Sequence, residues 1–181
     1  MKSNTSIGRR TVLLVSLASM GASTAAPGLA QVVAGVGSTA SPPPKLEFVF
    51  EAIVVGEGLQ KLGQGPLGER RMIPIAGGTF IGPRLQGVVL PGSADRQLLR
   101  KDGVQKLNAL FELRTLDGAV ITVNDHVIMD FSDSAKPYVF SSIEIVAPDG
   151  PYGWLNKQVF VGTLDNVQGQ AAVRVRVYAL T

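Results

Sequence analysis

The stretch from Arg70 to Pro83, R-R-M-I-P-I-A-G-G-T-F-I-G-P, decides how the chain is read. From Gly77 to Gly82 its spacing, G-x-x-x-x-G, matches the opening of a phosphate-binding loop. Such a loop needs Lys and then Ser or Thr directly after its last glycine, and it must open a helix whose first N–H groups face the phosphate. Here Gly82 is followed by Pro83-Arg84, and Leu85-Gln86-Gly87-Val88-Val89-Leu90 reads as strand. Both requirements fail. Gly77, Gly78, Gly82 and Gly87 are instead expected where a strand bulges or turns a corner.

The flanking sequence has the same β texture. Leu46, Phe48 and Phe50 alternate with Glu47, Val49 and Glu51, and Val173, Val175 and Val177 alternate with Arg174, Arg176 and Tyr178. A period of two places each set on one face of a strand. Between them, Leu107 to Thr115, Ala119 to Met129, Tyr138 to Val146 and Trp154 to Gly162 are rich in Val, Ile, Phe and Thr. Asp102-Gly103 and Asp117-Gly118 read as tight turns, and Pro148-Asp149-Gly150-Pro151 as a turn that no helix or central strand crosses. No window carries a 3.6-residue apolar stripe, so the chain is all-β. A sandwich and a barrel both fit this many short strands; a single small antiparallel barrel of about eight strands is favoured, because closure removes exposed edges.

The N-terminus is a different kind of sequence. Lys2, Arg9 and Arg10 precede an apolar run from Thr11 to Gly21, and small residues follow up to Ala30. That order predicts a cleaved signal peptide over residues 1–30, and the run is too short to span a bilayer. Arg9-Arg10 followed by Thr11-Val12-Leu13 resembles the twin-arginine export signal; a general-pathway signal with a chance arginine pair is the alternative. Residues 31–44, ending in Pro42-Pro43-Pro44, read as a flexible tether, and residues 45–181 as the barrel domain. The expected location is the periplasm or the medium.

Charge follows the leader. The full chain has 17 Lys and Arg against 14 Asp and Glu, but residues 1–30 hold three of the basic residues and none of the acidic ones, leaving 14 of each. A nucleic-acid partner, or membrane association after the leader is removed, therefore has no electrostatic support. There is no cysteine, so neither a disulfide nor thiolate chemistry is available. His126 is the only histidine, and no metal site or cofactor is expected.

Several short motifs, in order, resemble the domain-of-unknown-function family 3237. They are Arg70 to Ile75, Gly77-Gly78-Thr79-Phe80, Val89-Leu90-Pro91-Gly92 through Asp95, Arg100 to Gly103, Leu113-Arg114-Thr115 with Asp117-Gly118, and Tyr152-Gly153-Trp154-Leu155-Asn156. The resemblance runs from about Leu46 to Tyr178 and implies a small barrel, similar in kind to the allene oxide cyclase and dirigent barrels. The chain departs from that pattern at Ile81, Arg96, Asn108-Ala109-Leu110-Phe111 and Phe140, mostly by exchanging polar groups for apolar ones. If these positions line the lumen, this member has lost charge inside its barrel.

Among acid–base candidates, Asp102 reads as a turn residue, Glu112 as solvated and His126 as a surface side chain. Asp125 cannot easily orient His126, because neighbours on a strand point to opposite faces. Asp95 enters a strand from a loop; capping that loop is the favoured reading, and facing the barrel mouth is the alternative. Ser141-Ser142 has no basic partner, and no nucleophile elbow occurs. Arg71, Arg84, Arg100 and Arg114 could hold a carboxylate or enolate if buried. Asp95, Arg71 and Arg100 are thus the catalytic candidates. Tyr152, Trp154 and Asn156 are expected on one strand face, pointing inward.

Three functions follow. The leading one is binding of a small apolar or aromatic molecule in a lumen walled by Phe80, Phe111, Phe140, Tyr152, Trp154 and Asn156. The second is an isomerase, cyclase or lyase in which an Arg–Asp pair polarises such a molecule. The third is a non-catalytic homo-oligomeric structural protein.

Overall fold

The computed structural model describes residues 41–181. The expected signal peptide (1–30) and most of the expected tether (31–44) lie outside the described residues, and residues 41–45 carry no regular secondary structure. Ten strands follow: β1 (Leu46–Gly56), β2 (Gln60–Gly65), β3 (Gly68–Ile81), β4 (Gln86–Val89), β5 (Ala94–Arg100), β6 (Gln105–Thr115), β7 (Val120–Asp130), β8 (Tyr138–Val146), β9 (Phe160–Asn166) and β10 (Ala172–Leu180). One turn of 3-10 helix, Gly153–Lys157, precedes β9.

All pairings are antiparallel, and β1 pairs with both β10 and β3, so the sheet closes on itself. β4 and β5 each lie between β3 and β6 and form one stave interrupted at residues 90–93. The ring is therefore a closed barrel of eight staves. β2 pairs only with β3, on the side β1 occupies further along, and extends as a hairpin past the rim.

The Gly77–Gly78 corner is where β3 changes partners. Its first half pairs with β5 up to Pro74, and its second half pairs with β4 from Gly78. On the other side Val55 faces Gly77 while Gly56 faces Ile75, leaving Ala76 as the extra residue of a bulge. Gly78 has φ +146°, and a Cβ there would lie 1.9 Å from the Ile53 carbonyl oxygen. Only glycine lets β1 and β3 approach so closely.

Alternation holds along most strands. Val173 and Val175 to Ala179 on β10 turn their odd-numbered side chains inward, while Arg174 and Arg176 lie outside and both donate to Glu51, at 3.1 and 2.9 Å. β1 departs from the even-residue face expected of Leu46, Phe48 and Phe50. A bulge between Phe48 and Phe50 breaks the register, so Phe50 is fully buried while Phe48 packs edge-on against Tyr178 outside.

The core fills one end of the barrel. Phe50 and Phe80 meet edge to face at 5.9 Å, with Leu113, Ile121, Val177 and Phe160 around them. The 3-10 turn plugs that end. Leu155 enters the core, and the Asn156 side chain clamps the strand beyond β8, accepting from the Ala147 N–H at 2.8 Å and donating to its carbonyl at 2.9 Å.

Candidate functional site

The opposite end is open. Past the Phe111 ring the interior side chains become smaller and more polar, and a cavity of about 530 Å³ runs to the rim, where Leu59, Phe131 and Gln170 stand. An eight-strand barrel is just wide enough to be filled by its own side chains or to hold one small ligand. Here one half does each.

Both acids that line the lumen lie on one girdle. Ile73, Asp95, Ala109, Asp125 and Ile143 face one another in register across β3, β5, β6, β7 and β8. Asp95 and Asp125 therefore flank Ala109, with their Cα atoms about 10 Å apart, two inter-strand spacings. Gln97, two residues along β5 and on the same face, donates from Nε2 to Asp95 Oδ2 at 2.6 Å.

Asp125 is only 1% exposed, and its Oδ1 meets no hydrogen-bond partner; Asp95 Oδ1 and Ser141 Oγ are likewise unpartnered. Burial pushes the Asp125 carboxyl up to about 6, the nearby Ser141 hydroxyl opposing the shift and the Asp95 charge adding to it. The Asp95 carboxyl is also raised by burial, against the Gln97 hydrogen bond that favours its charged form. The two carboxyls share one chamber, and the Asp95 charge is the smallest of the influences on Asp125. Such a pair can donate a proton at one point of a bound molecule and accept one at another.

The structure distributes the sequence candidates unevenly. Asp95 lines the lumen cavity. Arg71 does not; its guanidinium grips Glu69 at 3.1 and 3.0 Å, and that hydrogen bond holds the Glu69 carboxyl below its usual range. Arg100 is exposed and pairs with Asp102 in the β5–β6 turn. No guanidinium lines the lumen among the described residues, so the expected Arg–Asp pair is replaced by a pair of acids.

Of the aromatic wall, Phe111 alone lines the cavity. Phe80 is buried in the packed half. Phe140 is 50% exposed on the outer surface, edge-on to Tyr138, because the inward set on β8 is Ser141, Ile143 and Ile145. Tyr152, Trp154 and Asn156 do not share a strand face: they belong to the plug at the closed end. Tyr152 Oη donates to Asp117 at 3.0 Å, Trp154 packs on the core beneath Arg84, whose guanidinium carbon is 3.9 Å from the ring centre, and Asn156 is an exposed clamp.

Most departures from the family pattern also lie outside. Ile81, Arg96, Asn108, Leu110 and Phe140 are exposed, and of the departing positions only Phe111 faces the lumen. The lumen of this chain carries two acids, Asp95 and Asp125, and Asp125 is the residue the sequence reading missed. Its signal was available: Ile121, Val123, Val127 and Met129 flank it at steps of two, which puts Asp125 on the inward face and His126 on the outer one.

Fold and site together define a class: a closed antiparallel barrel, packed at one end and opening at the other on a half-buried and a fully buried acid. The chain belongs to the family described as protein of unknown function (DUF3237), which matches residues 44–180. It is 30% identical over 129 residues to a UPF0311 protein of Clostridium acetobutylicum, covering 64% of this chain and 82% of that protein. It is 29% identical over 125 residues to the hydroalkoxylation enzyme phnH of Penicillium herquei, covering 69% and 77% respectively. A β-barrel like protein from Acinetobacter baumannii superposes with a TM-score of 0.70 at 28% identity, covering 77% of this chain and 98% of that one. The crystal structure of an enzyme from Penicillium herquei superposes with a TM-score of 0.63 at 22% identity, a likeness of fold.

Proposed function

We propose that the open half of the barrel binds a small, largely apolar molecule and catalyses proton-transfer chemistry on it, with Asp125 as general acid and Asp95 as its partner base. The observation that carries this reading is an Asp125 carboxyl 1% exposed, lacking a partner at Oδ1 and pushed up to about 6, in a cavity of about 530 Å³. A carboxyl kept near neutrality by an apolar setting is suited to giving up a proton at physiological pH. Hydroalkoxylation, the activity in the name of the fungal relative, adds an alcohol O–H across a carbon–carbon double bond. In this lumen Asp125 would protonate one alkene carbon, the alcohol oxygen would bond to the other, and Asp95 would take the hydroxyl proton. Exchange of a proton between the two acids then resets the site, with no cofactor consumed.

The test is incubation of residues 31–181 with a panel of unsaturated aromatic alcohols in deuterated water, scored by mass spectrometry. Products one deuterium heavier at carbon are expected, with turnover lost by at least about a hundredfold in Asp125→Asn, within the range attributed to a positioned acid. Retention of full turnover by Asp125→Asn overturns the acid assignment. Binding without any turnover across the panel would leave the lumen a carrier site, the reading that the sequence placed first. The leader supports periplasmic delivery of this activity. Replacing Arg9 and Arg10 by lysine should then leave the protein in the cytoplasm, and unchanged export would remove the twin-arginine route.

A further inference from the structure

A second concavity lies on the outside of the same wall. The β2–β3 hairpin, through Gly65-Pro66-Leu67, leans over the outer face of β5, β6 and β7 and encloses a groove of about 700 Å³. Its charge is one-sided. Arg70, Arg71, Arg96, Lys106 and His126 line it, and no Asp or Glu does. Arg71 is satisfied by Glu69 and Arg70 donates to the Leu62 carbonyl at 3.1 Å, which ties the hairpin to β3. Arg96 and Lys106 are exposed and have no carboxylate partner among the described residues.

These two cations are placed to act together. Arg96 faces Asn108 and Leu98 faces Lys106 across β5 and β6, so Arg96 and Lys106 are diagonal neighbours on one face. Such neighbours stand about 7 Å apart, a distance one carboxylate can bridge. Asn108 and His126, facing each other on β6 and β7, add hydrogen-bonding groups beside them. Leu62, Leu67, Leu98 and Ile128 supply apolar surface around them, with Gln97 and Ser142 also in the lining. A groove of this size suits one small molecule rather than an extended polymer.

We propose that this outer groove is a binding site for an amphipathic organic carboxylate, its head group held between Arg96 and Lys106 and its apolar body against Leu98, Ile128 and the overhanging Leu67. Charge complementarity separates it from the lumen: an anion is repelled by the buried acids inside and attracted by the unopposed cations outside. The proposal stands independently of any reaction in the lumen.

Isothermal titration of residues 31–181 with decanoate, decan-1-ol, decyltrimethylammonium and acetate tests it. Decanoate should bind with a stoichiometry of one, at least tenfold more tightly than the alcohol or acetate, while the quaternary amine gives no heat at this site. The double variant Arg96→Glu with Lys106→Glu, both on the exposed surface and checked for an unchanged melting temperature, should weaken decanoate at least tenfold. Ala109→Phe, which fills the lumen, should leave decanoate binding intact. Equal affinity for decanoate and decanol, or insensitivity to the charge reversal, overturns the site. Loss of decanoate binding in Ala109→Phe relocates it to the lumen and overturns the proposal equally.

Discussion

The two ends of the barrel use one backbone pattern for opposite purposes. At the closed end the inward positions of β6 and β7 are Phe111, Leu113, Ile121 and Val123, all 1% exposed or less. Two steps along the same strands they become Ala109 and Asp125, and the interior turns from a packed core into a chamber. The ring closes through antiparallel pairing in both halves, so the closed half can carry the stability while the open half tolerates groups that oppose it. An unpartnered buried carboxyl is unfavourable by itself and persists because the rest of the ring is well packed.

The comparison would break first at the closed end. Phe50→Ala removes a fully buried ring and its edge contact with Phe80, and should lower unfolding free energy by about 3–5 kcal/mol. Chemical denaturation measures it. A loss below about 1 kcal/mol would mean that the closed half is not where stability resides.

Asp125 should give the next largest effect, of opposite sign and dependent on pH. Its ordinary value of 3.8 is raised to about 6 in the folded protein, so the folded state holds the proton more tightly. That contribution is complete below about pH 4, declines as pH rises to about 6, and is lost above it, a swing of about 3 kcal/mol. Asp125→Asn should abolish this part of the pH dependence and be more stable than the parent at pH 8. Parallel pH profiles for the two proteins would show that Asp125 titrates normally.

The smallest effect sharpens the description of the plug. Arg84→Ala removes the cation above Trp154 and should cost about 0.5–1 kcal/mol, since the pair is only partly desolvated. Because Trp154 is the only tryptophan, its emission should shift to the red as the ring gains water. An unshifted spectrum would mean that Arg84 does not cover the ring.

The fold was more legible than the site, for a physical reason. Strand content follows from period-two patterning, and the Gly77–Gly78 corner from paired glycines that the structure places where a Cβ at Gly78 would strike backbone; closure was only favoured over a sandwich. Lumen identity depends on which of two parities faces in, and bulges reset parity locally. On β1 the register shift between Phe48 and Phe50 moved one aromatic outside and the next inside. On β8 a visible cue, Ile143 and Ile145, would have placed Phe140 outside. Tyr152, Trp154 and Asn156 read as a strand because aromatic residues two apart mimic one. The deciding residue there was Leu155, whose burial anchors a 3-10 turn beside the Pro148–Pro151 turn. Asp125 was set aside as a partner for His126, a correct inference about adjacency that concealed its inward aim.

The pairing of β1 with β10 bears on how the protein reaches its folded state. Lys45 and Thr181 exchange backbone hydrogen bonds of 2.8 and 3.0 Å, so the seam of the ring joins the first and last segments of the domain. No ring can form until β10 is available, and the contacts made at that step are among the longest-range in the molecule. Folding dominated by such contacts is slow, and β1 and β10 present unpaired edges to other chains until the seam closes. Joining residue 45 to residue 181 through a short linker and reopening the chain in the exposed Ser132–Lys136 loop would turn this late encounter into a local one. Such a permutant should fold faster while leaving the chamber and the groove unchanged.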